Sequence, residues 1–113
     1  MTEVEKAYLA GIFDGEGCVG YYARYTKGIP YHSASLHICM TERHAINWIV
    51  QVVGYGNVSF SEKSGNKKSV WSWQLCNKPR IHELLIAIRP YLTVKAEQVD
   101  TLFALWKAEE GTI

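Results

Sequence analysis

The chain has 113 residues and a formal net charge of +1 at pH 7, with 48% hydrophobic and 20% charged residues. This length and composition favour a single soluble domain with a modest core. No apolar run approaches the roughly 20 residues that span a membrane, and the acidic N-terminus argues against a secretory signal peptide. Three widely spaced cysteines fit reduced thiols. We therefore expect an intracellular protein, in the cytoplasm or an organelle stroma or matrix, without membrane contact.

Charge is distributed unevenly along the chain. Residues 17–40 and 56–80, which contain the predicted strands, together carry seven Lys and Arg against one acid, Glu62, so the other segments sum to −5. A basic face on a nearly neutral molecule indicates a nucleic-acid partner. A solvated, lysine-rich surface gives the same pattern and is the alternative.

The first predicted element is a helix that starts at a capping box of Thr2 and Glu5 and runs to about Asp14. Its apolar positions are spread too broadly for a simple surface helix. These positions are Val4, Tyr8, Leu9, Ile12 and Phe13. Small residues also recur at every fourth position: Ala7, Gly11 and Gly15. Because a glycine inside a helix costs about 1 kcal/mol, this stripe predicts close packing of another helix backbone.

The next segment is predicted to form a hairpin. Its strands span 18–27 and 31–40, with Gly28 and Pro30 marking the turn. The second strand alternates between apolar and polar side chains, which is typical of a strand with one buried face. The apolar set is Ala34, Leu36, Ile38 and Met40, and the polar set is Ser33, Ser35, His37 and Cys39.

A helix over 42–53, capped by Thr41, is predicted to connect this hairpin to a second one. The second hairpin consists of strands at 58–63 and 69–76 around a turn at 64–67. Alternation again separates hydroxyl and amide side chains from apolar ones in its last strand. The middle of the chain therefore repeats the pattern of strand, turn and strand.

Two helices are predicted to complete the chain. Asn77 caps the first of them, Pro79 lies in its first turn, and it ends before Pro90. Thr93 is expected to cap the second. The inward stripe of that last helix is Val99, Leu102, Phe103 and Trp106.

These elements predict an α+β fold in the order αββαββα(α), with a four-stranded antiparallel sheet and all helices packed on one face. One domain, 1–113, comprises a helix at 1–16, two hairpins with an intervening helix at 17–80, and C-terminal helices at 81–110. The opposite face of the sheet stays open, with side chains suited to contacts with base edges and phosphates. The predicted contact residues are Tyr22, Arg24, Ser33, Ser35, His37, Ser59, Ser61, Lys63, Lys68, Ser72 and Gln74.

The segment Leu9-Ala10-Gly11-Ile12-Phe13-Asp14-Gly15-Glu16-Gly17 resembles the signature of the LAGLIDADG homing endonucleases. The resemblance continues through 40–41, 53–58 and 89–95, and covers nearly all of the chain. It implies the saddle-shaped sheet of that family. Because the chain has one motif, it also implies a homodimer in which two motif helices pack together. The implied interface consists of Ala7, Tyr8, Gly11, Ile12, Asp14 and Gly15.

The resemblance also implies the chemistry of the site. Glu16, where the family usually has Asp, is expected to hold a catalytic divalent metal together with Gly15. Lys95 matches a basic residue that the family places near the active site, and Glu42 stands where relatives often carry a water-ordering polar residue. Asp14 is expected to bond backbone amides of the following turn. The implied cofactor is Mg²⁺, replaceable by Mn²⁺, with no small-molecule cofactor.

The function that the resemblance implies is site-specific cleavage of both strands of a long, near-palindromic DNA duplex by phosphodiester hydrolysis. A ten-residue strand spans roughly 33 Å, close to one turn of DNA at about 34 Å. Each subunit would therefore cover about 10 base pairs. The chief alternative is a catalytically inactive relative that binds intron RNA as a maturase or DNA as a regulator. An interaction domain without a nucleic-acid partner is a third alternative.

Overall fold

The computed structural model describes residues 1–62 and 69–110. Its elements are α1 (Glu3–Glu16), β1 (Gly17–Thr26), β2 (Ile29–Met40), α2 (Arg43–Val53), β3 (Asn57–Ser61), β4 (Val70–Leu75), α3 (Lys78–Ile88), a 3-10 helix (Arg89–Tyr91) and α4 (Ala96–Glu110). The predicted order of helices and strands is confirmed. The predicted turn at 64–67 and two predicted contact residues, Lys63 and Lys68, lie outside the described residues.

The four strands form one antiparallel sheet in the order β1-β2-β4-β3. β2 pairs with β1 from Ile29 to Ile38 and with β4 from Leu36 to Met40. The pairing of β2 with β4 joins the two hairpins into a single sheet. Because directly paired residues share a face of an antiparallel sheet, the register assigns every strand side chain to one of two faces.

The hydrophobic core lies against one face of the sheet. Leu36, Ile38 and Trp73 on this face are fully buried, and the helices cover them with their own apolar side chains. The buried helical residues are Leu9, Ala10, Phe13, Ile46, Ile49, Ile81, Leu84, Leu85, Ile88, Val99, Leu102 and Trp106. The predicted α+β architecture is therefore confirmed. Within the described ranges, no helix is long and apolar enough to cross a membrane.

The first and third helices start where the sequence predicts. Thr2 accepts a hydrogen bond from the Glu5 amide at 3.1 Å, and Glu5 accepts from the Thr2 amide at 2.8 Å. Asn77 accepts from the Arg80 amide at 3.1 Å. Asn77 therefore starts α3 at Lys78, three residues before the expected C-terminal segment at 81–110. α1 ends at Glu16, which is the end of the expected helical segment 1–16 and two residues beyond the break expected near Asp14.

Two other predicted caps are wrong. Glu42, and not Thr41, is the N-cap residue of α2, and its side chain makes no capping hydrogen bond. Thr93 lies three residues before the start of α4, and its hydroxyl donates to Asp14 at 2.9 Å. In both cases the helix starts later in the chain than the threonine predicts, so the threonine is not at the N-cap position.

The first hairpin turn is shorter than predicted. Lys27 and Gly28 form it with φ angles of 51° and 80°, the left-handed geometry of a two-residue type I′ turn. Pro30, predicted as part of the turn, lies in β2 opposite Tyr25. At that end β2 pairs with β1 only, so the missing N–H of proline leaves no hydrogen bond to β4 unmade.

Candidate functional site

The candidate site begins where α1 meets β1. Glu16 is the last residue of α1 and Gly17 the first of β1, so no loop separates helix from strand. The Gly17 amide donates to the Phe13 carbonyl and closes the helix. A Cβ at Gly17 would lie 2.5 Å from Phe13 Cδ1 and 2.7 Å from Phe13 Cα. Only glycine fits this junction, which therefore fixes the exposed Glu16 at the point where helix and sheet meet.

Asp14 connects this end of α1 to the segment before α4. Its carboxylate accepts hydrogen bonds from the Thr93 amide, the Thr93 hydroxyl and the Lys95 amide, each at 2.9 Å. Burial opposes ionisation of Asp14, but these hydrogen bonds outweigh burial, and its pKa lies below the usual 3.8. The expectation that Asp14 bonds the turn after α1 is wrong, because its partners come from a distant segment. The same contacts hold the backbone of Lys95 near the end of α1.

Glu16 lines a cavity of about 320 Å³ whose other lining residues are Cys39, Met40, Thr41, Glu42 and Val70. Two predicted catalytic residues, Glu16 and Glu42, thus reach one cavity from different helices. Carboxylate oxygens suit Mg²⁺, which proteins typically bind through one or two carboxylates, with waters and substrate phosphates as further ligands. The described residues contain no group of three His, Cys, Asp or Glu side chains that could hold a metal ion. The donor set fits a hard cation that takes its remaining ligands from a substrate.

Cys39, which lines this cavity, has two polar neighbours on the sheet. Its sulfur lies 3.3 Å from His37 Nε2 and 3.2 Å from the Ser72 hydroxyl. Alternation in β2 places Cys39 and His37 on one polar face, so the sequence contains the signal for that pair. Ser72 joins them only through the register of β2 with β4, in which it is the direct partner of Cys39.

The open face, defined as the sheet face opposite the helices, carries the predicted contact residues that the structure describes. These nine residues are Tyr22, Arg24, Ser33, Ser35, His37, Ser59, Ser61, Ser72 and Gln74. Cross-strand pairs such as Tyr22 with Ser33 and Ser59 with Ser72 confirm that they share this face. Sequence reasoning missed other members of the face, which include Cys18, Gly20, Tyr31 and Asn57. Each of them lies two or four residues from a predicted contact residue in the same strand, so alternation along the strand contains the signal for them.

The structure tests the expected concentration of positive charge in the strands only in part, because Lys63, Lys67 and Lys68 lie outside the described residues. The described residues of the four strands include no Lys, Asp or Glu, and Arg24 is their one Arg. Lys27 lies in the hairpin turn, and Lys78 and Arg80 lie in the first turn of α3. Within residues 1–62 and 69–110, the open face is therefore mainly a neutral surface of hydroxyl and amide groups.

The open face also holds Arg24 in a defined position. The guanidinium lies over the Tyr22 ring, 4.7 Å from the ring centroid, and donates to the Tyr22 hydroxyl at 3.1 Å. This hydrogen bond raises the pKa of Arg24 further. Across the hairpin, Arg24 is paired with Tyr31. Two aromatic residues thus flank the only charged side chain that the described strands contain.

The predicted dimer residues lie mainly on the outward side of α1. A Cβ at Gly11 or Gly15 would meet no atom of the described residues within 4 Å. Tyr8 is 61% exposed and packs edge-to-face on Trp48, with 4.9 Å between ring centroids. The Tyr8–Trp48 pair lines a cavity of about 670 Å³ between α1 and α2. Asp14 differs from the other predicted interface residues, since its carboxylate is engaged within the protomer.

The fold matches solved LAGLIDADG homing endonucleases along nearly the whole chain. I-CvuI in complex with its target, in the presence of 2 mM Ca, gives a TM-score of 0.74 over 97% of this chain and 70% of that chain, at 20% identity. The group I intron-encoded I-CeuI complexed with DNA gives a TM-score of 0.73 over 97% of this chain and 57% of that chain, at 15% identity. The LAGLIDADG meganuclease I-AabMI bound to uncleaved DNA gives a TM-score of 0.65 over 96% of this chain and 39% of that chain, at 20% identity. No protein-family model and no curated protein sequence matches the chain.

Fold and site together define an α+β protein whose sheet leaves one polar face open, with a carboxylate-lined cavity where helix meets sheet. This arrangement is the LAGLIDADG homing endonuclease fold, and its presence confirms the fold that the motif at 9–17 predicts.

Proposed function

We propose that the chain is a site-specific DNA endonuclease that acts as a homodimer and cuts both strands of a near-palindromic duplex with Mg²⁺ or Mn²⁺. The observation that carries the proposal is the cavity that Glu16 and Glu42 share beside the open face. The fold supports it, since the matched structures of I-CvuI and I-CeuI are complexes with their target or with DNA. One further I-CvuI complex, with the I-CreI target in the presence of 2 mM Mg, contains DNA that is not cleaved, so it supports DNA binding and leaves cutting to the experiment below.

The chain's own groups have separate tasks in this proposal. The carboxylates of Glu16 and Glu42 would hold the cation, and Gly15 would supply a backbone oxygen. When bound, Mg²⁺ supplies the positive charge that activates water and stabilises the attacking and leaving oxygens. Lys95, whose amide is tied to Asp14 near the end of α1, would place a further positive charge close to the phosphate.

The outward side of α1 supports a homodimer. An uncovered stripe of small residues lets two helix backbones approach closely around a two-fold axis. Such an axis brings one Glu16 from each subunit to the centre of the assembly.

The open face supports recognition of duplex DNA. Its hydroxyl, amide and imidazole groups match the donors and acceptors that base edges present in the major groove. A two-fold symmetric protein reads a two-fold symmetric sequence, so the target is expected to be near-palindromic.

The test uses inverted-repeat duplexes in which a half-site of about 10 base pairs is randomised. Incubation with the purified protein and Mg²⁺ is expected to cut a small subset of these duplexes on both strands. A chelator should abolish cutting, and the variant Glu16→Gln should lower the rate of cutting by about 10²- to 10³-fold. Selective binding without cutting in Mg²⁺ or Mn²⁺ would support the inactive DNA-binding alternative. Selection of RNA, with no DNA selected, would support a maturase.

A further inference from the structure

Arg24 is chemically isolated on the open face. Among the described strand residues, histidines aside, Arg24 is the one side chain that is charged at neutral pH. Its neighbours on the face are neutral. A surface that binds mainly phosphates uses many Lys and Arg residues, because each neutralised phosphate adds to affinity. Among the described strand residues Arg24 stands alone, and an arginine whose side chain is held in place is suited to reading the edge of a base.

The Arg24 side chain is also held before any ligand arrives. Its guanidinium stacks on the Tyr22 ring and donates to the Tyr22 hydroxyl, leaving its other N–H donors for a ligand. Tyr31 is the direct partner of Arg24 across the hairpin. An arginine with a fixed fork loses less conformational entropy on binding than a free one. The geometry therefore favours a planar, two-pronged acceptor.

We infer that Arg24 is a specificity-determining residue that recognises a guanine in the major groove, and that Tyr22 is the positioning residue for its guanidinium. This inference rests on the proposed function, because it assigns a base contact to the DNA target. Guanine offers O6 and N7 as paired acceptors on its major-groove edge, and arginine is the side chain that matches both.

The position of this guanine follows from β1. Arg24 lies eight residues beyond Glu16 in the chain, and strand residues rise by about 3.3 Å each, so the separation is about 26 Å. DNA rises by about 3.4 Å per base pair. With Glu16 near the two-fold axis, Arg24 reaches a base pair about 8 steps from that axis in each half-site.

The test sequences the duplexes that the protein binds from the inverted-repeat library, in Ca²⁺. The wild-type protein is expected to select guanine at one position about 7 to 10 base pairs from the axis. Arg24→Lys keeps the charge and loses the fork, so guanine preference at that position should fall by about tenfold. Arg24→Gln should shift the preference there to adenine, which glutamine matches. Tyr22→Phe keeps the ring but removes the hydroxyl acceptor, and should weaken the guanine preference less than Arg24→Lys does.

Lys27→Asn is the matched control. It removes one positive charge from the same hairpin at a turn position whose positive φ asparagine tolerates. This variant should lower affinity for all sequences alike and keep the guanine preference. Unchanged guanine selection by Arg24→Lys, or an equal loss at every position, would overturn the assignment while the proposed function stands. A wild-type protein that selects no sequence would overturn both.

Discussion

The two sides of α1 have opposite surroundings. The inward side is completely buried at Leu9 and Phe13, with exposed fractions of 0% and 1%. The outward side leaves Tyr8 61% exposed and provides open space around Gly11 and Gly15. One short helix thus completes the hydrophobic core with one side and leaves the other side exposed.

The contrast continues into the last turn of α1, where two acids stand two residues apart. Asp14 accepts three hydrogen bonds from the segment before α4. Glu16 is exposed and lines the cavity that also contains Glu42. These environments indicate a structural role for Asp14 and a role at the cavity for Glu16. Changes on the inward side should therefore cost stability, and changes on the outward side should cost function or assembly.

The largest expected effect is on the outward side, at Glu16. Glu16→Gln keeps the shape of the side chain and removes the charge that holds the cation in the proposed function. The rate of cleavage of a selected duplex should fall by about 10²- to 10³-fold. The free energy of unfolding should change by less than about 0.5 kcal/mol, because the side chain is exposed. Single-turnover cleavage and urea unfolding measure the two quantities.

Glu83→Gln provides the control for charge alone, since Glu83 is an exposed glutamate in α3. It should leave the cleavage rate close to that of the wild-type protein. Full cleavage by Glu16→Gln in Mg²⁺ would show that Glu16 does not hold the cation. A loss of stability in that variant would place Glu16 with Asp14 on the structural side of the comparison.

The next largest effect is expected on the inward side, at Gly17. In Gly17→Ala the added Cβ would overlap both the side chain and the backbone of Phe13, so no rotamer change relieves the contact. The unfolding free energy should fall by about 2 to 3 kcal/mol. Gly15→Ala is the matched control, because its Cβ meets open space, and it should not destabilise the protomer. Equal stability of the two variants in thermal unfolding would refute the proposed tight junction.

The sequence predicts the inward side of α1 and the order of elements well because both depend on local patterns. Apolar periodicity identifies Leu9 and Phe13, and the capping box at Thr2 marks where the helix begins. The partners of Asp14 are less accessible to such reasoning. Thr93 is 79 residues away, and a threonine before a helix normally suggests a cap for that helix.

The candidate site shows the same division. Alternation within β2 assigns His37 and Cys39 to the open face, but only the pairing of β2 with β4 adds Ser72 to them. Segment charge is less informative still, because most bases of the strand-containing segments lie in turns or in α3 where the structure describes them. Strand register and turn length, which arise from packing of the whole chain, decide which residues meet.

Asp14 supplies a third prediction, of about 2 kcal/mol, with a defined pH dependence. Asp14→Asn removes the charged acceptor from three hydrogen bonds, so the unfolding free energy should fall by about 2 kcal/mol at neutral pH. The folded-state pKa of Asp14 lies below the unfolded value near 3.8. Its contribution is therefore complete above the unfolded pKa and is lost as pH falls through the folded pKa. Wild type and Asp14→Asn should thus converge in stability in that acidic range.

Urea unfolding from about pH 6 down to about pH 3 measures this convergence. Asp100→Asn is the matched control, since the pKa of Asp100 is also lowered, by its hydrogen bond with Arg89, but the group is exposed. It should cost less than Asp14→Asn at every pH. A constant difference between wild type and Asp14→Asn across the range would contradict ionisation of Asp14 as the source of its stabilisation.

The smallest expected effect is at Gly11. A larger side chain there should stabilise the protomer or leave it unchanged, but should weaken the proposed dimer. Gly11→Ala should raise the unfolding free energy of the protomer by about 1 kcal/mol, because alanine favours the helix and its Cβ has open space. Gly11→Leu also fits the protomer but would separate two closely packed helices, so its dimer dissociation constant should rise about tenfold, or about 1.4 kcal/mol. Sedimentation velocity across a range of micromolar concentrations measures the dimer. If Gly11→Leu dimerises as well as the wild-type protein, the outward side of α1 is not the interface, and its exposed apolar residues then need a different partner.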